Sequence, residues 1–78
     1  MLLELARFHQ ARGAYEDARR LYVDVLETDS TVAEAHLGLA KVAEATEDAE
    51  TVQTHLKRYL DLQPAGRQAE WARSKLED

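Results

Sequence analysis

The stretch LGLAKVAEA at residues 37–45 repeats the pattern of LELARFHQA at residues 3–11, which lies 34 residues earlier. Identities at this offset extend beyond the two stretches and join Leu3, Leu5, Ala6, Ala11, Glu16 and Leu26 to Leu37, Leu39, Ala40, Ala45, Glu50 and Leu60. One further step carries Leu37 onto Trp71 and Lys41 onto Lys75. A fixed period of this length is typical of stacked helical repeats. The sequence therefore contains two and a half copies of one structural unit.

Each copy contains two segments whose apolar residues recur at the spacing of an amphipathic helix. No segment alternates apolar and polar residues between turn signals, as a hairpin strand would. The sequence predicts an all-α fold of five antiparallel helices, at about 2–12, 15–28, 32–45, 49–62 and 67–77.

Local signals predict where these helices begin and end. Gly13 can take the left-handed conformation that closes a helix. Thr31 and Glu34 match the S/T-x-x-E capping box, and Asp48 is the expected N-cap of the fourth helix. The stretch Gln63-Pro64-Ala65-Gly66 separates the fourth helix from the last one.

With this spacing the sequence resembles the tetratricopeptide repeat family. The residues that carry the resemblance are the pairs Leu5-Ala6 and Leu39-Ala40, Ala18 with Tyr22, Val52 with Leu56, and Pro64. The chain departs from the family pattern at Ser30, at His9 and Ala43, and at Val52. The resemblance implies a right-handed solenoid in one domain, with repeat one at 1–32, repeat two at 33–66 and a capping helix at 67–78.

Composition limits the classes of function. The 78 residues are 45% hydrophobic and 32% charged, carry a net charge of −5 and include no cysteine. Disulfides and thiolate metal sites are excluded. An acidic chain is a poor ligand for nucleic acid or anionic lipid, and its charged residues interrupt any membrane span. Because the first residues lack the features of a signal peptide, we expect a cytoplasmic location. We expect no cofactor.

The family resemblance implies that the first helix of each repeat lines a concave groove where protein segments bind. The 34-residue step then gives three columns: apolar Leu3, Leu37 and Trp71; basic Arg7, Lys41 and Lys75; and polar to acidic Gln10, Glu44 and Asp78. Gly38 and Ala72 lie beside the first column and are small enough to admit a ligand backbone. The basic column favours an acidic segment or a free C-terminal carboxylate. Alternatively, the leucines belong to the core and the basic residues form a solvated face.

The sequence offers no candidate catalytic or metal site. The histidines His9, His36 and His55 lie on three different predicted helices, and no two are spaced to share a metal on one helix. His9 occupies a position that the family fills with an aromatic residue. No serine has the context of an activated nucleophile. We therefore expect a non-enzymatic adaptor or scaffold module that binds a protein or peptide as part of a larger protein or assembly.

The start of the chain suggests an alternative. Met1-Leu2-Leu3 enters the first helix without a capping residue or a polar turn. An apolar first helix of this kind can pack against another subunit. The alternative function is therefore self-association through the N-terminal helix, without a separate ligand.

Overall fold

The computed structural model describes residues 2–77, which form five helices: α1 (Leu2–Ala11), α2 (Tyr15–Thr28), α3 (Ala33–Ala45), α4 (Ala49–Leu62) and α5 (Ala69–Glu77). No strand occurs in this range. The predicted all-α helical-repeat fold is confirmed, and most helix ends lie within a residue of their predicted positions. The last helix is the exception, because residues 67–68 form a turn and α5 begins two residues later than predicted.

Two of the predicted helix ends are confirmed. Gly13 has a φ of 83°, in the left-handed region, and connects α1 to α2. The Asp48 side chain accepts a hydrogen bond from the Thr51 backbone N–H at 3.2 Å, and so caps α4. Both turns are short, which keeps consecutive helices antiparallel and in contact.

The predicted capping box of α3 is wrong. Val32 is the N-cap, and no side chain bonds to the first turn there. The Thr31 hydroxyl and backbone N–H instead donate to Oδ1 of Asp29, which forms a local turn before the helix. Glu34 reaches across to Arg7 on α1. Threonine and aspartate side chains form local hydrogen bonds in turns as readily as at helix caps. Here the turn at Asp29 uses the Thr31 groups that a capping box would need.

The core consists of two apolar clusters that meet at α3. The first holds Ala6, Ala18, Tyr22, Ala35, Leu39 and Val42. The second holds Ala33, Ala40, Leu56, Tyr59 and Ala72. Alanine supplies half or more of each cluster, so the helix backbones approach closely, and the larger side chains fill the remaining space. Helix α3 contributes to both clusters and contains the most buried residues of the five helices.

Candidate functional site

A groove of about 810 Å³ lies between α1, α3 and the loop from α4 to α5. Helix α1 contributes Arg7 and Gln10, and α3 contributes Leu37, Gly38 and Lys41. These five residues are members of the predicted site. They face one groove because α1 and α3 occupy equivalent places in successive repeats.

The other predicted site residues lie outside this groove lining. Leu3 is half-buried and packs against the first core cluster. Glu44 on α3 and Trp71 and Lys75 on α5 form a cluster that Lys41 joins through the Trp71 ring. Asp78 lies outside the described residues. Of the nine described positions, five therefore line the groove, three form a neighbouring cluster, and Leu3 packs against the core.

That neighbouring cluster is built around the Trp71 ring. The ammonium groups of Lys41 and Lys75 lie 5.3 and 5.8 Å from the ring centroid, within the range of a cation–π interaction. Lys75 also forms an ion pair with Glu44. Lys41 thus belongs both to the groove and to this aromatic cluster.

The basic column is partly neutralised by acidic neighbours. Arg7 is ion-paired with Glu34 and Lys75 with Glu44. All four side chains keep more than a third of their surface exposed, so water screens both pairs. Exposed ion pairs of this kind contribute only about 0–1 kcal/mol. An anionic ligand could therefore displace either glutamate at low cost.

The small size of Gly38 and Ala72 serves the packing of the helices. Both are buried, and Ala72 has no exposed surface. A Cβ atom at Gly38 would overlap Cζ of the Tyr22 ring. The absence of a side chain at Gly38 therefore serves the packing of the Tyr22 ring.

Tyr22 connects the core to the groove. Its hydroxyl donates a hydrogen bond to Oε1 of Gln10 at 2.6 Å. Burial raises the pKa of the Tyr22 phenol, an effect that the charge of Arg7 partly offsets, and the group stays neutral at physiological pH. This bond fixes the Gln10 carboxamide at the groove wall.

Sequence reasoning missed the third wall of the groove, which is the loop containing Gln63, Gly66, Arg67 and Gln68. The Tyr59 hydroxyl holds this loop by accepting a hydrogen bond from the Gln68 backbone N–H at 3.2 Å. The 34-residue step gave no signal for these residues, because α5 begins two residues later in the repeat than α3 does, so that the counterparts of Arg67 and Gln68 are the first residues of α3 and not part of a loop.

The structure also brings together two histidines for which the sequence predicts no contact. Nδ1 of His36 and Nδ1 of His55 are 3.0 Å apart, although the residues lie on α3 and α4. Within residues 2–77, no group of three or more His, Asp or Glu side chains could hold a metal ion. None of the described helices has the length and apolar character needed to cross a membrane.

Comparison with known proteins identifies the family of the chain. The sequence model described as tetratricopeptide repeat matches residues 9–76, which is most of the chain. No curated protein and no solved structure matches the sequence.

Proposed function

Since the chain belongs to the tetratricopeptide repeat family, we propose that it is a protein-interaction module whose groove binds an acidic, extended segment of a partner protein. Proteins built from such repeats commonly use their concave surface for recognition rather than for catalysis. We assign no catalytic role to any residue of the groove. The partner is a protein or peptide, and no nucleic acid, lipid or cofactor is part of the proposal.

The charge of the groove is the observation that carries this proposal. Among the described residues, Arg7, Lys41 and Arg67 line it together with a single carboxylate, that of Glu34. The whole chain has a net charge of −5, so this surface is opposite in sign to the rest of the molecule. A local positive surface of this kind steers and orients a negatively charged ligand.

The remaining groove residues suit an extended backbone with some apolar side chains. Gln63 and Gln68 supply carboxamide groups that can both donate to and accept from a peptide backbone. Leu37 supplies an apolar, half-buried surface between Arg7 and Lys41. A volume of about 810 Å³ is within the usual range of ligand sites.

Charge reversal in the groove tests the proposal. The probe is a short fluorescein-labelled peptide in which Glu alternates with Leu, and its neutral counterpart carries Gln in place of Glu. We expect the acidic peptide to bind more tightly, and Lys41→Glu and Arg67→Glu each to weaken its binding about tenfold, or about 1.4 kcal/mol. Fluorescence anisotropy measures the affinity, which should also fall as salt rises from about 50 to 500 mM.

Lys57→Glu is the matched control, since Lys57 is exposed on α4 and lies outside the groove lining. It changes the net charge equally and should leave the affinity within about twofold, because an exposed charge that does not line the groove is screened by water and salt. Equal binding of the acidic and neutral peptides would contradict the proposal. So would a loss with Lys57→Glu as large as the loss with the groove variants.

A second candidate function, self-association through α1, is favoured by one observation. Leu5 and Phe8 are exposed by 45% and 55%, whereas Leu39 and Val42, which lie 34 residues later, are 3% and 1% exposed. Helix α2 thus helps to cover these two positions on α3. The equivalent positions on α1 also carry apolar side chains, but they remain exposed to solvent. Contiguous exposed apolar residues are typical of an interaction surface.

Phe8→Glu tests self-association by placing a charge at the centre of this surface. If a second copy covers α1, we expect wild-type dimers in sedimentation velocity whose fraction rises with concentration, and monomers for the variant. Val23→Glu is the control, since Val23 is also exposed but lies on α2. A wild-type chain that stays monomeric at all accessible concentrations would rule out this candidate and leave peptide binding as the function.

A further inference from the structure

His36 and His55 form a hydrogen-bonded pair between α3 and α4. Their Nδ1 atoms are 3.0 Å apart and their ring centroids 5.2 Å apart. Nε2 of His36 lies 3.0 Å from the backbone carbonyl oxygen of Ser30. His36 is only 6% exposed, so its ring has little access to other partners.

These contacts determine where the protons lie in the neutral pair. A carbonyl oxygen only accepts, so Nε2 of His36 must carry a proton and donate it to Ser30. Nδ1 of a neutral His36 is then an acceptor. The proton between the rings therefore belongs to Nδ1 of His55. The hydrogen bond between the two Nδ1 atoms can form when at least one ring is neutral. If both rings are imidazolium, each presents an N–H group at the contact and neither nitrogen can accept.

The corresponding positions of the first repeat carry no titratable side chains. The positions 34 residues before His36 and His55 are occupied by Leu2 and Leu21. The same helix pair in repeat one thus carries two leucines, and repeat two replaces them with two titratable rings. Histidine is the side chain whose ordinary pKa lies closest to physiological pH.

We propose that the His36–His55 pair is a pH-sensitive latch, which joins α3 to α4 near neutral pH and opens when acidification protonates both rings. The latch concerns the stability of repeat two and does not depend on the proposed ligand of the groove.

The groups around the pair favour the neutral state. Arg58, on the same helix as His55, adds a positive charge nearby. From α2, Glu16 and Arg19 border the cavity that His55 lines, but they bond to each other. Asp48 borders the same cavity and accepts from Thr51. Within the described residues, no carboxylate bonds to either ring, so nothing there compensates a second positive charge.

The direction of the pH effect follows from His55. Burial, and then the charges of His36 and Arg58, lower the pKa of His55 below the ordinary value of 6.5. A histidine with a lowered pKa in the folded state disfavours folding once the unfolded chain begins to take up protons. The contribution of the neutral pair to the free energy of unfolding is therefore fully present above pH 6.5. It is lost as pH falls from there toward the lower pKa of His55 in the folded state.

The test compares the wild type with the double variant His36→Leu, His55→Leu, which restores the residues of repeat one. Urea unfolding is followed by circular dichroism at about pH 7.5, 6.5 and 5.5. We expect the unfolding constant of the wild type to rise several-fold more than that of the double variant over this range, because the unfolded chain takes up protons that the folded pair does not. The variant His9→Leu, which removes the remaining histidine, should keep the wild-type dependence.

Equal pH dependence of the wild type and the double variant would overturn the latch. Nitrogen NMR of the wild-type rings gives a second test that requires no folded variant. At neutral pH we expect His36 protonated on Nε2 and His55 on Nδ1, with the His55 signal titrating below the ordinary histidine range. The opposite tautomers, or an ordinary titration of His55, would also overturn it.

Discussion

At the scale of single residues, side-chain size is matched across the repeat boundary. Tyr22 packs its ring against Gly38, which has no Cβ. One period later the corresponding residues are Leu56 and Ala72, which share the second core cluster. A large ring thus lies opposite glycine, and a smaller side chain lies opposite alanine. The size of one member at each boundary restricts the size of the other.

This matching predicts the effect of Gly38→Ala. The added methyl group would overlap the buried Tyr22 ring, and we expect a net loss of about 1–2 kcal/mol in the free energy of unfolding, despite the higher helix propensity of alanine. Adding Tyr22→Leu reproduces the pair found at Leu56 and Ala72 and should make Gly38→Ala neutral or stabilising in that background. Chemical denaturation of the four proteins in a double-mutant cycle measures the coupling. Purely additive losses would show that the two residues are not matched.

At the scale of helices, the turns that end α1 and α3 make an informative comparison. Gly13 and Glu47 are one period apart, and both have positive φ, at 83° and 60°. Glycine adopts this conformation without steric cost, whereas a residue with a Cβ does so at a cost of about 1–2 kcal/mol. The end of α3 is therefore strained where the end of α1 is not.

We expect Glu47→Gly to relieve this strain and to raise the free energy of unfolding by about 0.5–1 kcal/mol, net of the entropy that glycine adds to the unfolded chain. The converse substitution, Gly13→Ala, should destabilise by about 1 kcal/mol. Thermal and urea unfolding of both variants provide the measurement. A destabilised Glu47→Gly would mean that the side chain of Glu47 makes a favourable interaction that outweighs its backbone strain.

The helices were predictable because their signals are local or periodic. Apolar spacing located all five, and Gly13 and Asp48 ended or began them as expected. The capping box at Thr31 failed because Asp29, two residues earlier, competes for the same hydroxyl and backbone N–H. Periodicity does not decide between two local hydrogen bonds of similar strength.

The site was predictable only where it follows the repeat. Arg7 and Lys41 face one groove because they are one period apart on equivalent helices. Arg67 contributes to the same groove from the loop before α5, whereas the residue 34 positions earlier, Ala33, is uncharged and begins α3, so the period could not reveal this positive charge. The pair His36 and His55 is separated by 19 residues, which matches neither a helical turn nor the repeat. The contact between the two rings depends on how α3 and α4 pack. A pattern among residues that are close in the sequence does not show that packing.

At the scale of the whole molecule, the two ends of the repeat stack differ in polarity. Helix α1 exposes Leu2, Leu5 and Phe8, whereas α5 exposes Glu70, Arg73 and Ser74. In both cases the exposed surface is one that a neighbouring helix would cover in a longer stack. The polar surface of α5 suits contact with water. The apolar surface of α1 is the reason for retaining self-association as the second candidate function.

The placement of α3 in both core clusters has a consequence for cooperativity. In a repeat chain with separate cores, one repeat could unfold while the other stayed folded. Here the unfolding of either repeat removes one side of α3, so the loss of one cluster exposes apolar surface that belongs to the other. The amide protons of α3 should therefore become available to solvent only through global unfolding, while α1 and α5 can open at the ends of the stack.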